Sequence, residues 1–378
     1  MESHHMNIGQ FHILRGNELR EMYASSSIRA LALALVSVFI PIYLFNLGYS
    51  LPQVFLFFAV ENALHALFVI PATQVIKKLG IKHTILGSKV FEICFFLLLY
   101  LLQINGSLYV FGFLLFTAGA KRALYFTALH LDLSKITKKG ERGMEVGKLK
   151  FFTATFHALG PFIGGLLIVG FGFKFIFILA SALLLVSAAP LFLSREEEVD
   201  TEFSLKRIFK NRSLGDTLAF IAYGIETGAS GIIWSIFVFL RIVGDYGMLG
   251  LIATIASGIS LATDLIIGKF ADKFKRKTIW AGSAANAVIG LGRVFATTVS
   301  HAFAVNVASG LSTKMIYIPA DVMTYEKANQ EGVLEYIMFR EIIINAARAI
   351  FYGAMIFVSS LVAGLLAGAL FSLLFMLF

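Results

Sequence analysis

Glu341, Asn345, Arg348 and Tyr352 recur at i, i+4, i+7 and i+11 in an otherwise apolar run. At helical pitch that spacing places all four on one stripe. A stripe holding a carboxylate, an amide, a guanidinium and a phenol can pass a proton or hold a polar molecule. Other apolar runs carry comparable sets: Lys314, Tyr317, Asp321 and Thr324; Lys121, Tyr125 and Asp132, with Arg122 adjacent; Tyr223, Glu226, Ser230 and Trp234; Glu61 and His65 one turn apart. His157 lies one turn before Pro161, and Asp264 one turn before Gly268. Charge inside an apolar run is costly, so it is usually turned inward or paired. Glu61, Glu226 and Glu341 are read as proton-coupling carboxylates, because a carboxylate kept from water can load and release a proton at physiological pH. Arg122, Lys314 and Arg348 are read as their partners in one state and as anchors for an anionic substrate group in another. Tyr125, Tyr317 and Asn345 stand beside them as substrate contacts. Blander readings exist for the remainder: Lys121, Asp132, Asp321 and Arg340 as charges near span ends, His65 and His157 as hydrogen-bonded groups inside a bundle, and Arg293 as one member of a structural pair.

Composition identifies the solvent these runs face. The chain of 378 residues is 58% hydrophobic and holds 38 Phe, more apolar than a soluble domain of this size. The net charge of +9 could suggest nucleic acid, but the cations cluster in alternate loops, so no nucleic-acid partner is expected. The single Cys94 excludes a disulfide framework and a cysteine metal site. No metal site, catalytic triad, phosphate loop or dinucleotide fingerprint appears, so neither an enzyme, a cofactor nor ATP-driven pumping within this chain is expected. Residues 1–20 are polar and lack the apolar core of a cleavable signal.

Twelve spans follow, at roughly 28–47, 51–75, 84–103, 107–131, 149–170, 174–193, 216–240, 248–268, 279–299, 301–323, 334–357 and 360–378. Each is near the length of a membrane-crossing helix, and helices are the economical way to pair every backbone amide in a bilayer. Loops after spans two, four, six and eight are basic, through residues such as Lys77, Lys78, Lys82, Lys135, Arg142, Lys148, Lys206 and Arg207. The opposite loops carry little charge, which predicts both termini in the cytoplasm of an inner-membrane, multi-pass protein. The expected organisation is a cytoplasmic segment 1–27, a six-helix bundle 28–193, a linker 194–215 and a second six-helix bundle 216–378. In the linker Phe203, Leu205, Ile208 and Phe209 interleave with Lys206, Arg207 and Lys210, the pattern of either a short interfacial helix or a solvated connection. The halves read as repeats: Arg122-Ala-Leu-Tyr125 parallels Lys314-Met-Ile-Tyr317, and the loop 78–84 parallels 272–278.

The loop Gly268 to Lys277 reads GKFADKFKRK, of the form G-x-x-x-D-K-x-x-R-K, between two spans. Gly268, Asp272, Lys273, Arg276 and Lys277 make it resemble the signature loop of the major facilitator superfamily of secondary transporters. The resemblance implies an all-α membrane protein of twelve helices in two pseudo-repeat halves, with a solute site near the midplane between them. It also implies a small-molecule solute, protons as the coupling ion, a bilayer environment and a monomer. Gly160-Pro161-Phe-Ile-Gly164-Gly165 looks like the span-five motif of the family's antiporters. Proton-coupled export of drug-like or amphipathic compounds is therefore the expected activity. The alternatives are a carrier of an organic anion, sugar or other metabolite, and a non-transporting receptor or lipid-handling protein on the same fold. Arg122 occupies the place of a family arginine linked to proton coupling, although Ala-Leu-Tyr-Phe follows it instead of Gln-Gly. The first-half copy of the loop departs too, with Gln74 in the place of Gly268 and Lys78 in that of Asp272. If Asp272 faces the positive start of span five, Lys78 should face a carboxylate near span eleven, and Glu335 or Glu331 would form an inward gate with it.

Overall fold

The computed structural model describes residues 8–136, 141–193 and 204–378, leaving aside the side chains of residues 8–18, 136, 256, 259–260, 262–265 and 271–272. The carboxylates of Asp264 and Asp272 and the linker stretch Glu196 to Phe203 thus lie outside the described residues. The described residues form helices and short connections and no strand. Helix α1 starts at Ile8 and reaches Asn46, its membrane-crossing part being Leu19–Asn46, and is interrupted by a 3-10 turn at Ser37–Phe39. Then come α2 (Leu51–Leu79), α3 (Ile81–Ile104) and α4 (Leu108–Ile136). A single helical stretch, Arg142–Ala188, bends at Gly172, whose φ of 76° favours glycine. It is divided here into α5 (142–171) and α6 (173–188). The second set is α7 (Leu214–Val243), α8 (Tyr246–Lys273), α9 (Lys275–Val294), α10 (Val299–Glu331), α11 (Val333–Val358) and α12 (Leu361–Leu377). Six of the helical stretches among the described residues are long and apolar enough to cross a membrane on their own composition, including the bent one.

Several helices run past the expected span ends, such as α5 from Arg142 and α10 to Glu331, and two boundaries have a clear local cause. The first helix begins by Ile8 rather than near residue 28. Its polar early turns are buried through Glu21, Ser25, Ser26 and Arg29, and they meet partners on neighbouring helices that no hydropathy pattern records. The α9–α10 break falls at residues 295–298, several residues before the expected one. The reason is local: the Thr298 hydroxyl accepts from the His301 amide and caps α10 there. The linker contributes one helical turn, Leu205–Ile208. Ile208 is buried, whereas Leu205 and Phe209 are exposed.

The first six helices meet the last six along two seams, α5 on α8 and α2 on α11. Small residues set the first seam. A side chain on Gly165 would strike the backbone of Tyr246, one on Gly250 the carbonyl of Pro161, and one on Gly268 the carbonyl of Gly143. Close backbone approach through small residues is how helices associate where burial from water supplies no drive. Gly160 and Gly164 serve the same purpose against Ala34 and Leu35 of α1. The span-five motif is thus a packing face on two sides of α5.

Candidate functional site

A chain of buried charges crosses the second seam in the half of the bundle nearer the basic loops. Arg340 in α11 pairs with Glu341 beside it and with Asp321 of α10, the latter at 3.1 Å. Lys150 of α5 reaches Asp321 at 3.2 Å. Glu341 is approached by His65 Nε2 of α2 at 3.4 Å and by His130 Nε2 of α4 at 3.7 Å. His130 Nδ1 is hydrogen-bonded to the Tyr325 hydroxyl at 2.8 Å. With neutral histidines the two cations balance the two carboxylates, which allows the cluster to persist out of water. Asp321 and Arg340 are 1% and 3% exposed, so of the two blander readings of these charges snorkelling is corrected. Each is neutralised by a neighbour, and neither snorkels. Asn345 bonds the Glu341 carbonyl at 2.8 Å and lies 3.4 Å from His65 Nε2.

Arg348, one turn further along the predicted stripe, meets neutral acceptors. It donates to Asn62 Oδ1 at 3.2 Å, Asn345 Oδ1 at 3.1 Å and Thr227 Oγ1 at 2.6 Å. Tyr352 bonds the Gly228 carbonyl at 3.1 Å. The stripe therefore ties α11 to α2 and α7 along its length.

Glu226 in α7 is buried. Tyr317 of α10 donates a hydrogen bond to its carboxylate, and Asn286 of α9 donates at 3.3 Å. Asn286 is oriented in turn by the Ser312 hydroxyl, which donates to its side-chain oxygen at 2.9 Å. Arg293 bonds Ser309 and lies 5.6 Å from the Trp234 ring.

Between the two sets of helices lies a cavity of about 750 Å³, walled in part by Lys150, His157, Trp234, Asn306, Lys314 and Tyr317. Of the residues singled out in the sequence, His157, Pro161, Ser230, Trp234, Lys314 and Tyr317 line it. The Trp234 indole donates to Asn306. Thr153 and Ser235, also on the wall, give their hydroxyl protons to backbone carbonyls of their own helices, which leaves their oxygen lone pairs for a guest; Thr227 does the same with its proton but already accepts from Arg348. Trp234 follows a π-helical segment, Ala229–Ile233. Such a local widening is frequent at functional positions.

A smaller cavity of about 230 Å³ holds Glu61, Arg122, Arg29 and Lys121 among aromatic rings. Arg122 lies 3.6 Å from Glu61, and the Lys121 ammonium sits 4.0 Å over the Phe95 ring. Tyr125 points away from the larger cavity. Its ring lies 3.4 Å under the Arg29 guanidinium, and its hydroxyl is 3.1 Å from Ser26 Oγ.

Lys78 is exposed, while Glu335 is buried and accepts from the Ser204 amide at 3.2 Å. Glu331 pairs with Arg212 at 2.7 Å. No ion pair joins Lys78 to either carboxylate among the described residues. Lys273, Arg276 and Lys277 are exposed at the basic end.

Sequence reasoning missed Arg29 with its partner Glu92, and also Lys89, His130, Lys150 and Asn62. Arg29 and Glu92 form a buried pair between α1 and α3, and Lys89 donates to Ser25 and Ser187. The signal was present: Lys89, Glu92 and Lys150 are charges inside predicted spans.

Contacts join the two sets of helices on either side of the cavity region. Nearest the basic loops are Lys150–Asp321, His130–Tyr325 and Asn329, which donates to the Ser134 carbonyl at 2.9 Å. At the other end Asn46 donates to the Tyr246 hydroxyl, and the Tyr246 ring packs against Phe39, Phe173 and Phe239.

The sequence matches the family model described as Major Facilitator Superfamily over residues 22–216, just over half of the chain. No curated protein matches it. Among solved structures it resembles the E. coli fucose:proton symporter FucP at 17% identity and a TM-score of 0.70, covering 96% of this chain and 98% of that one. A second structure, FucP in the outward conformation, matches at 16% identity and a TM-score of 0.70, over 95% and 97% of the two chains. The folds are therefore shared over nearly their whole length, and the chain belongs to the Major Facilitator Superfamily as a secondary transporter.

Proposed function

We propose that the chain is a proton-coupled carrier of a small hydroxylated solute of sugar-like chemistry. The solute binds in the 750 Å³ cavity and moves by alternating access. The observation that carries this reading is Tyr317, whose ring walls the cavity while its hydroxyl serves the buried Glu226. A solute leaning on Tyr317 changes the hydrogen bonding of the carboxylate, so occupancy and protonation are linked through one side chain. The cavity volume falls within the range of about 300–1,000 Å³ usual for small-molecule sites. Its polar wall of Asn306, Thr227, Ser230 and Ser235 beside the flat faces of Trp234 and Tyr317 suits a molecule with hydroxyls on its edge and C–H groups on its face. The similarity of fold to a fucose:proton symporter supports the same reading.

In this account the Lys150–Asp321 and His130–Tyr325 contacts open in one half-cycle and the Tyr246 cluster opens in the other. The basic-loop end faces the cytoplasm of an inner membrane, and the working unit is a monomer of two six-helix bundles. Glu61 with Arg122, and Glu341 between its histidines, are further proton-coupling candidates. Lys78 and Glu335 form the inward gate in the conformation where the basic end closes further. In that case Lys78→Glu and Glu335→Lys each impair transport and together restore it, whereas independent, additive losses would remove the gate.

Export of amphipathic compounds is the second reading, resting on the span-five motif and the aromatic wall. Counterflow of labelled solutes in proteoliposomes separates the two. A panel of sugars, organic anions and cationic drugs is offered, and exchange of a neutral hydroxylated solute supports the first reading. Exchange of lipophilic cations alone would replace it with the second. No exchange by folded protein would favour the receptor or lipid-handling alternative.

A further inference from the structure

Outside the solute pathway, a groove of about 830 Å³ runs along α1 and α5 at the basic-loop end. Arg20, Lys148 and Lys269 lie at that end, and Tyr23, Phe151, Phe152 and Phe156 form its wall. The side chains facing it are distinct from those facing the central cavity. On α5 the cavity takes Lys150, Ala154, His157 and Pro161, whereas the groove takes Met144, Lys148, Phe152 and Phe156, spaced one turn apart. Phe152 and Phe156 are 42% and 41% exposed, and the Tyr23 ring stacks on Phe152 at 5.7 Å.

The three cations are held together by the fold rather than by their mutual charge. Gly268 packs against the carbonyl of Gly143 and close to Gly147, which brings the next residue, Lys269, to the side of α5 that bears Lys148. Arg20 arrives from the early turns of α1. No acidic residue is among the described lining residues, and none of the three cations makes an ion pair among the described residues. Glu145, the acidic neighbour on α5, is not among the lining residues, and its backbone carbonyl accepts from the Tyr23 hydroxyl at 3.0 Å. Like charges brought together in this way call for a multivalent anion. The anion must also suit the aromatic wall, which extends from Lys148 to Phe156, eight residues or about 12 Å along the helix.

We propose that the groove binds an anionic phospholipid drawn from the bilayer, its phosphate among Arg20, Lys148 and Lys269 and its acyl chains along Phe152 and Phe156. Basic residues at the membrane surface attract anionic lipid in general; here a concave wall fixes one molecule. Because Lys269 belongs to α8 and the other two cations to α1 and α5, the lipid bridges the two sets of helices and favours the conformation in which the basic ends of α5 and α8 are together. This inference does not depend on which solute is carried.

The test is native mass spectrometry of the full chain released from micelles containing phosphatidylglycerol and phosphatidylcholine in equal amounts. The expected result is one retained phosphatidylglycerol per protein. That lipid is lost in the triple variant Arg20→Ala, Lys148→Ala, Lys269→Ala and weakened in Phe156→Ala, while Lys206→Ala with Lys210→Ala, which removes two exposed linker cations, keeps it. Size-exclusion profiles confirm that each variant is folded. Equal retention of both lipids, retention unaffected by the triple variant, or equal loss in the linker variant would overturn the proposal. Displacement by millimolar inorganic phosphate would also overturn it, by assigning the cations to a free anion.

Discussion

Tyr317 of α10 donates a hydrogen bond to the Glu226 carboxylate of α7 while its ring forms part of the central cavity wall. Removing the hydroxyl alone separates these two roles. Tyr317→Phe keeps the wall and deletes the donor. A hydrogen bond to a charged group contributes about 1.5–3 kcal/mol, so solute-coupled proton uptake should fall roughly tenfold or more. Solute binding measured by calorimetry should change far less. Equal losses in binding and coupling would mean that Tyr317 acts only as wall.

Trp234 gives the complementary case. Its indole donates to Asn306, so Trp234→Phe frees the amide to turn and removes a fixed donor from the site. Solute affinity should weaken by roughly tenfold, the effect of about 1.4 kcal/mol, with the proton-to-solute ratio unchanged. A changed ratio would place Trp234 in the coupling path instead.

The Arg340 cluster predicts stability rather than selectivity. Arg340→Met strands Asp321 and Glu341, with Lys150 as the remaining ordinary cation. Breaking a buried pair from one side costs about 3–5 kcal/mol, so the variant should melt well below the native protein in detergent. Adding Glu341→Gln should recover part of that loss. If the double variant were as unstable as the sum of its parts, the two residues would not be paired in the folded state.

Gly268 predicts a geometric effect. A side chain there meets the Gly143 carbonyl, so Gly268→Val must push α8 from α5 at the basic end. Overpacking of this kind costs about 1–3 kcal/mol. Cysteine cross-linking between the basic ends of the two helices should slow in the variant. An unchanged cross-linking rate would show that the seam does not depend on that contact.

Much of this arrangement was legible in the sequence because a bilayer makes polarity expensive. Isolated charges such as Glu226 and Arg348 announce themselves within apolar runs, and loop cations mark alternate turns. Pairings are a different matter. Arg348 carries the same charge as Arg122, yet one meets neutral amides and hydroxyls and the other lies beside Glu61. That difference depends on which helices adjoin, and periodicity along a single helix does not encode it. The early turns of α1 were hidden for a similar reason: Arg29 takes on its role only when Glu92 of α3 is placed against it. Asp321 and Arg340 read as charges near span ends, and their burial follows from the opposing helices, which sequence position does not show.

The most direct measurement of the central claim is proton movement into proteoliposomes carrying an internal pH dye. It is triggered by each solute in the panel and run for the native chain and Glu226→Gln side by side. The account predicts a solute-triggered proton flux in the native protein. In Glu226→Gln that flux is abolished, while exchange of labelled solute down its own gradient persists. Solute movement with no proton flux in the native chain, or full coupling in the variant, would contradict it.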